Sequence, residues 1–455
     1  MTEKTIAAIA TPSAPGGIGI VRISGPGATQ TAAKVFRPVN HSDLTKSKGY
    51  RAYFGYVFAG EERIDEAVCL VFRAPKSYTG EDVCEISCHG GLYITKRILR
   101  ACLDAGAVPA GPGEFTKRAF LNGKIDLAQS ESVMALISAT GEMAAAAAVN
   151  TLEGRLSGEI RQCREKIVAV CASLAAWVDY PDDEIEEISC ENILQTFREV
   201  RGTLAEIIRR FDCGRAVTEG IDTVIVGKPN VGKSTLMNFL SGFERSIVTD
   251  IAGTTRDVVE EKIVLSDIVL KIADTAGIHE TENRVESLGV SLAKKRLDRA
   301  ELVICLFDGS REIGEEDYDL ISLCKGKKTV AVISKTDLPN KIDKSVIEKH
   351  FDNVTEISCL ENRGREEIEE EIKKIFFVNS FDPSLSCLTG ERQRQCCLEA
   401  CDRLQEAIEA LESGVTLDAV NVLADLAVDA LLSLTGEKAT EEVVNEVFSR
   451  FCVGK

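Results

Sequence analysis

The chain has 455 residues, a length that suggests about three domains, and its apolar fraction of 44% is ordinary for a protein with a full core. Its formal net charge of −18 argues against loose, sequence-blind binding of nucleic acid, which rests on basic surface. No long uninterrupted apolar run marks a membrane-spanning helix, and the start, "MTEKTIAAIATPSAPGG", lacks the basic-then-apolar order of a signal peptide.

A cytoplasmic location without a membrane partner is the expectation, and in that compartment the 16 cysteines stay reduced. Residues 1–118 carry strand-like runs, "TIAAIA", "GIGIVRISG" and "EAVCLVF", broken by Gly and Pro turns. "CEISCHG", with Cys84, Cys88 and His89, is the nearest approach to a metal cluster. Its alternation reads better as a strand whose small thiols fill core positions. "GLYITKRILRACLDAG" predicts a helix that closes at Gly106, so the region is an α+β domain.

A helical texture follows over 119–215. Leu152, Leu156, Ile160, Cys163, Ile167, Val170, Leu174 and Val178 define one face, the acidic stretch 179–187 turns the chain, and another helix runs to about Phe211. From Ile221 strands and helices alternate, the pattern of a parallel α/β sheet over 216–378. Helices return over 379–455. One shows Cys397, Cys401, Leu404, Ile408 and Leu411 on a face, a second covers Leu417 to Leu434 and stops at Gly436, and a third covers Glu441 to Phe451. Such helices are not stable alone and pack most simply against those before residue 215. The α/β unit is then an insertion within a helical domain.

"GKPNVGKS" (227–234) fits G-x-x-x-x-G-K-[ST], with a strand before it and a helix after it. Gly227 and Gly232 let the backbone wrap phosphates, and the amides of the stretch Asn230, Val231, Gly232, Lys233, Ser234 and Thr235 face the negative charge. Lys233 reaches the β and γ phosphates and Ser234 ligates Mg²⁺. The loop Thr249, Asp250, Ile251, Ala252, Gly253, Thr254 and Thr255 offers hydroxyls, with Thr255 completing the Mg²⁺ shell. "LKIADTAG" ends a buried strand in Asp274, Thr275, Ala276 and Gly277, where the carboxylate holds a metal-bound water and the Gly277 amide senses the γ-phosphate. "VAVISKTD" leads into Ser334, Lys335 and Asp337. A carboxylate at 337 accepts both hydrogen bonds from the N1–N2 edge of guanine, which adenine does not offer. Ser358, Cys359 and Leu360 supply the last loop against the base.

These segments, in this order, resemble the G domain of translation-factor-class GTPases. The resemblance departs in two places. Ser334 stands where the family has Asn, a change that bears on nucleotide affinity more than on guanine identity, and Ile278 stands where Ras and Gα carry a water-positioning Gln. Glu280, Glu282 and Glu286 follow as carboxylates that could take over that task.

The flanking segments "TPSAPGGIGIVRISG", "YTGEDVCEISCHGG", "PGEFTKRAFLNGKIDLAQSE" and the terminal "FCVGK" narrow the resemblance to the MnmE/TrmE-type tRNA modification GTPases, over essentially the whole chain. The resemblance implies a tetrahydrofolate-binding and dimerisation domain (1–118), a discontinuous helical domain (119–215 and 379–455) ending in a Cys-x-Gly-Lys motif, and an inserted Ras-like P-loop G domain (216–378). It implies a homodimer that joins an FAD-dependent partner of the MnmG/GidA type and acts on tRNA. The pair installs a carboxymethylaminomethyl or aminomethyl group at carbon 5 of the wobble uridine. By motif position, Arg22, Glu85, Lys124 and Lys455 are the candidates for a 5-formyl- or 5,10-methylene-tetrahydrofolate site, and Cys452 is a candidate thiol brought there across the dimer. The family also implies K⁺-dependent hydrolysis on G-domain dimerisation. Asn230, Thr249, Ile251 (through its backbone) and Thr254 would be the K⁺ ligands, and Glu286 the water-orienting residue. Two other readings fit parts of the sequence: a ribosome-assembly GTPase switch, and a folate-dependent one-carbon transferase with a regulatory G domain.

Overall fold

Alternating apolar residues build the first stretch of the chain into a seven-stranded sheet. The computed structural model describes residues 4–179, 189–242, 260–273 and 297–455. The first elements are β1 (Ile6–Ile9), β2 (Ile18–Ser24), α1 (Ala28–Val35), β3 (Phe36–Pro38), β4 (Arg51–Ala59), β5 (Glu62–Phe72), β6 (Val83–His89), α2 (Leu92–Asp104), β7 (Val108–Pro109) and α3 (Glu114–Leu121). The strand order is β3-β4-β5-β6-β2-β1-β7. All neighbours are antiparallel except β1 and β7. Val21, Ile23, Val57, Val71, Cys84 and Ile86 of one face share a core with Ala28, Ala32, Ile98 and Cys102 of the two helices. "CEISCH" is therefore a strand, with Cys84 and Cys88 pointing inward. Burial pushes the Cys88 thiol up to about 11 and that of Cys102 to about 12, so neither is a nucleophile at neutral pH.

Four helices follow: α4 (Leu127–Ser138), α5 (Glu142–Leu152), α6 (Arg155–Asp179) and α7 (Cys190–Thr218). The single face expected from Leu152 to Val178 is interrupted, because Gly154 adopts a left-handed φ of 85° and separates α5 from α6. Within α6, Leu156, Ile160, Cys163, Ile167, Cys171 and Leu174 are buried. Cys171 replaces the expected Val170, since a stripe at this spacing advances by three or four residues. Helix α7 continues past Phe211. Gly214 does not stop it but makes room for the Phe381 ring, which a Cβ would meet at 2.4 Å.

The next elements are β8 (Ile221–Gly227), α8 (Lys233–Ser241), β9 (Glu260–Leu265), β10 (Ile268–Ala273), β11 (Leu302–Asp308), α9 (Glu315–Cys324), β12 (Thr329–Ser334), α10 (Lys344–Glu348), β13 (Val354–Glu356) and α11 (Arg365–Ile375). They form a six-stranded sheet in the order β13-β12-β11-β8-β10-β9, parallel except for the β9–β10 hairpin. The inner strands β11 and β12 are buried almost throughout, as continuous apolar runs in a parallel sheet require. The chain ends in α12 (Glu391–Glu412), α13 (Leu417–Thr435) and α14 (Glu441–Ser449).

Two compact units divide the chain. One comprises Met1–Met134, Thr151–Leu204 and Gly390–Lys455, the other Ala135–Asn150 and Ala205–Thr389. In the first, α13 lies against α12 and α6. Arg392 of α12 grips both carboxylate oxygens of Glu131 at 2.8 Å and donates to the Ser433 and Leu434 carbonyls at the end of α13. Gly436, with φ of 89°, ends that helix. Helix α14 packs on α3 through Phe448 and Phe451, which share a cluster with Leu127 and Phe120. In the second unit, α5 contributes Ala144 and Ala147 to the same core as Val217, Leu265 and Leu270. Its alanine run carries no apolar period, so this packing is invisible in sequence.

Leu404 is fully buried on α12. Leu404→Ala is expected to cost about 2–5 kcal/mol, measured as a lowered denaturant midpoint for the helical unit.

Candidate functional site

Strand β8 lies between β11 and β10: the chain after it first builds β9 and β10 on one side and then β11 on the other. The loop at its carboxyl end is therefore at a topological switch point, where open α/β sheets bind ligands. Gly227 has no room for a side chain, because a Cβ would sit 2.9 Å from both the Leu306 carbonyl oxygen and Val231 Cγ1. Asn230 and Gly232 both take left-handed φ, 60° and 105°, so the loop curls tightly before α8 begins. Lys233 Nζ donates to the carbonyls of Gly227 at 2.8 Å and Lys228 at 3.0 Å. Burial lowers its pKa. Ser234 and Thr235 are exposed in the first turn of α8, where helix geometry leaves amides without intrahelical acceptors. Val231 is buried and anchors the loop. Lys228 is tied down by Asp317 at 2.6 Å, and the same carboxylate accepts from the Gly314 amide at 2.8 Å.

The loops after β11 and β12 and the one carrying Ser358 gather at the same edge of the sheet. Ser334 is buried at the end of β12; its hydroxyl donates to the Phe307 carbonyl at 2.9 Å and lies 3.4 Å from the Val231 carbonyl of the phosphate loop. Lys335, at φ of 61°, pairs with Asp308 at 2.6 Å. Asp337 accepts a hydrogen bond from the Ser358 hydroxyl at 2.8 Å, which orients its carboxylate. Cys359 is half-buried, and burial raises its thiol pKa, with Asp337 adding to the shift. Leu360 is 86% exposed. The structure thus joins Asn230 to Thr235 with Ser334, Lys335, Asp337 and Ser358 in one constellation. Thr249, Asp250, Ile251, Ala252, Gly253, Thr254, Thr255, Asp274, Thr275, Ala276, Gly277 and Glu286 lie outside the described residues. Asp308 was not anticipated, although a carboxylate closing "LVICLFD" at the carboxyl edge of a buried strand was a usable signal.

In the other unit, Arg22 of β2 faces Glu85 of β6, directly opposite in the register, and the two pair at 2.7 Å. The Arg22 guanidinium lies 5.6 Å from the Tyr78 ring and 5.4 Å from the Phe115 ring, two neighbours that sequence reading missed. It also donates to the Gly454 carbonyl at 3.3 Å. The tail lies along residues 111–115 of its own chain. Val453 bridges to Pro112, the Gly113 amide donates to the Cys452 carbonyl at 3.3 Å, and the Phe115 amide donates to that of Lys455 at 3.1 Å. Gly454 takes φ of 98°, and a Cβ there would meet the Ile9 carbonyl oxygen at 2.2 Å. Cys452 is exposed. Lys124 stands apart from Arg22 and donates to the Pro75 carbonyl at 3.2 Å, on the loop that carries Tyr78.

The family profile described as "GTP-binding protein TrmE N-terminus" matches residues 5–124, and the one described as "MnmE helical domain" matches 127–452. The "tRNA modification GTPase MnmE" of Thermoanaerobacter pseudethanolicus is 40% identical over 466 residues, with 100% of both chains covered. The chain belongs to the MnmE family of tRNA modification GTPases. Proteins of the same name from Lactobacillus helveticus and Lactobacillus delbrueckii subsp. bulgaricus are 40% and 41% identical over 462 residues, covering 100% of this chain and 99% of theirs. Membership of the MnmE family favours the tRNA-modification reading over a ribosome-assembly switch or a transferase with a merely regulatory G domain.

Two tests follow from the MnmE nucleotide site. Burial opposes the charged form of Asp308, but the Lys335 ammonium and the Ser310 hydroxyl and amide outweigh it, and the pKa falls below 3.8. Its contribution to stability is present above 3.8 and fades as pH drops through the lower folded value. Asp308→Asn should therefore be less stable than the parent at neutral pH, with the gap in melting temperature closing in acid. Ser334 has one proton to donate, and the Phe307 carbonyl takes it. Ser334→Asn adds a second N–H toward Val231 and should tighten GDP binding about fivefold by calorimetry, the worth of one net hydrogen bond. Unchanged or weaker binding would show that the hydroxyl suffices.

Proposed function

We propose that the chain is the GTP-hydrolysing subunit of a complex that adds a carboxymethylaminomethyl or aminomethyl group to carbon 5 of the wobble uridine of certain tRNAs. The one-carbon unit comes from a tetrahydrofolate derivative, 5-formyl- or 5,10-methylene-tetrahydrofolate. The observation that carries this is the coincidence of full-length MnmE similarity with a formed phosphate loop and guanine-side carboxylate. Residues 1–118 serve as the folate and dimerisation domain, 119–215 with 379–455 as the helical domain, and 216–378 as the G domain.

In this reading Asp337, oriented by Ser358, selects guanine, and the stem of Lys335 flanks the base. Lys233, held at the rim by two loop carbonyls, redirects its N–H hydrogen bonds from them to phosphate oxygens. Its ammonium then stabilises charge that develops there. Ser234 and Thr255 would hold Mg²⁺. Asn230, Thr249, the Ile251 carbonyl and Thr254 would hold K⁺. The donor chemistry fits: Asn230 is exposed at the loop rim and offers a hard amide oxygen, and the exposed Ser234 hydroxyl opens the helix. Both ions, when bound, supply positive charge against the transferring phosphoryl group. Glu286 orients the attacking water in place of the residue that Ile278 cannot supply.

A homodimer through the N-terminal domain is supported by the open face of its sheet, where the cross-strand partners Phe54 and Val68 stay exposed. The further partners are tRNA and an FAD-dependent subunit of the MnmG/GidA type, in the cytoplasm. Cys452 handles the one-carbon unit beside Arg22, Glu85, Lys124 and Lys455.

GTP hydrolysis is expected to be faster in K⁺ than in Na⁺ buffer, and Asn230→Ala should abolish that difference while retaining GDP binding. Equal rates in the two buffers would remove the K⁺ assignment. Mass spectrometry of tRNA nucleosides from a deletion strain should show loss of the C5 modification, with Cys452→Ser failing to restore it. Intact wobble uridines in the deletion strain would overturn the whole reading.

A further inference from the structure

Beneath the Arg22 site lies a charged cluster that no step above uses. Arg118, on α3, and Glu81, at the end of the loop before β6, form an ion pair with side chains only 10% and 9% exposed. Taking two charges out of water is costly and is recovered only when geometry and further hydrogen bonds are good. Both conditions hold. One Arg118 nitrogen donates to the two Glu81 oxygens at 3.0 and 3.1 Å. The other donates to the Lys4 carbonyl and to Glu114 Oε1, both at 2.9 Å. Glu81 also accepts from the Ser24 hydroxyl at 2.6 Å, and Glu114 Oε2 accepts from the Gly111 amide at 2.7 Å.

The elements joined in this way are those that form the site. Ser24 ends β2, the strand of Arg22. Glu81 belongs to the loop that presents Tyr78 to the Arg22 guanidinium. Glu114 fixes the first turn of α3, whose Gly113 and Phe115 amides receive the Cys452 and Lys455 carbonyls. Arg118 itself is too buried to touch a bound molecule.

We propose that Arg118 is a positioning residue for the Arg22–Cys452 site, clamping the Tyr78 loop to the first turn of α3 and thereby holding the two amides on which the tail rests. Its consequence for folate rests on the function proposed above; its consequence for the tail does not. A lysine at 118 keeps one bond to Glu81 but has no fork with which to reach Lys4 and Glu114 together.

The test compares Arg118→Lys and the milder Glu114→Gln with the parent, each as the full chain. Hydrogen exchange is followed over residues 111–116 and 450–455, binding of 5-formyl-tetrahydrofolate by calorimetry, and melting by fluorescence. We expect exchange in both segments to rise about tenfold, and folate affinity to fall about tenfold, with GTP hydrolysis little changed and Glu114→Gln melting closer to the parent than Arg118→Lys. Unchanged exchange in both segments in Glu114→Gln and in folded Arg118→Lys overturns the proposal. If Arg118→Lys fails to fold, Glu114→Gln alone decides. If the parent itself does not bind the folate, the folate reading fails, and the exchange result still decides the role of Arg118.

Discussion

At the carboxyl end of β8 the backbone of Gly227 runs so close to the Leu306 carbonyl and to Val231 that no side chain fits between them. That contact draws the phosphate loop down onto the sheet edge. Once it is drawn down, Asn230 and Gly232 must take left-handed conformations to climb back to α8, and Lys233 is left leaning over the loop it belongs to. The base-side elements inherit their positions from the same strand packing. Ser334 ends β12 and Asp308 ends β11, adjacent in a parallel register that pairs the two residues directly. A constellation made from separate segments, 227–235, 308, 334–337 and 358, is thus the consequence of one central strand and its neighbours on the sheet.

The N-terminal unit solves a different problem. Its tail consists of a few residues after a short helix, and such a segment is ordinarily loose. It is ordered here because each of its residues has something to meet. Phe451 is buried beside Phe448, Val453 pairs with Pro112, and the Cys452, Gly454 and Lys455 carbonyls all accept hydrogen bonds. The acceptor at Gly454 is notable because its donor, Arg22, is also the partner of Glu85. The tail therefore reports on the geometry of β2 and β6, and the charged cluster around Arg118 holds the surface it lies on.

Much of this was legible in order along the chain. The strand–loop–helix around "GKPNVGKS", the alternation of "CEISCH" and the stop of α13 at Gly436 follow from period, turn chemistry and capping, all of which act over a few residues. The same local logic failed where a distant residue decided. The helix expected to end near Phe211 runs on to Thr218, and Gly214 within it leaves the Phe381 ring the space a side chain would need. The alanines of α5 have no face until the α/β core supplies one. Tyr78 and Phe115 cannot be read as neighbours of Arg22, since they come from a loop and a helix far along the chain.

By itself the sequence determined the chemistry on offer: a glycine-rich loop of the phosphate-binding pattern, a carboxylate at Asp337, Ser334 where the resembled family has an amide, and a thiol at Cys452. It also determined the kind of each major element, because helical period, strand alternation and glycine turns are short-range properties. Tertiary structure alone decided which of these groups meet. It placed Asp308 under Lys335, laid the tail on its own chain, and buried Arg118 among three elements. Those pairings depend on close packing between residues tens to hundreds of positions apart, and no short-range preference encodes such a distance.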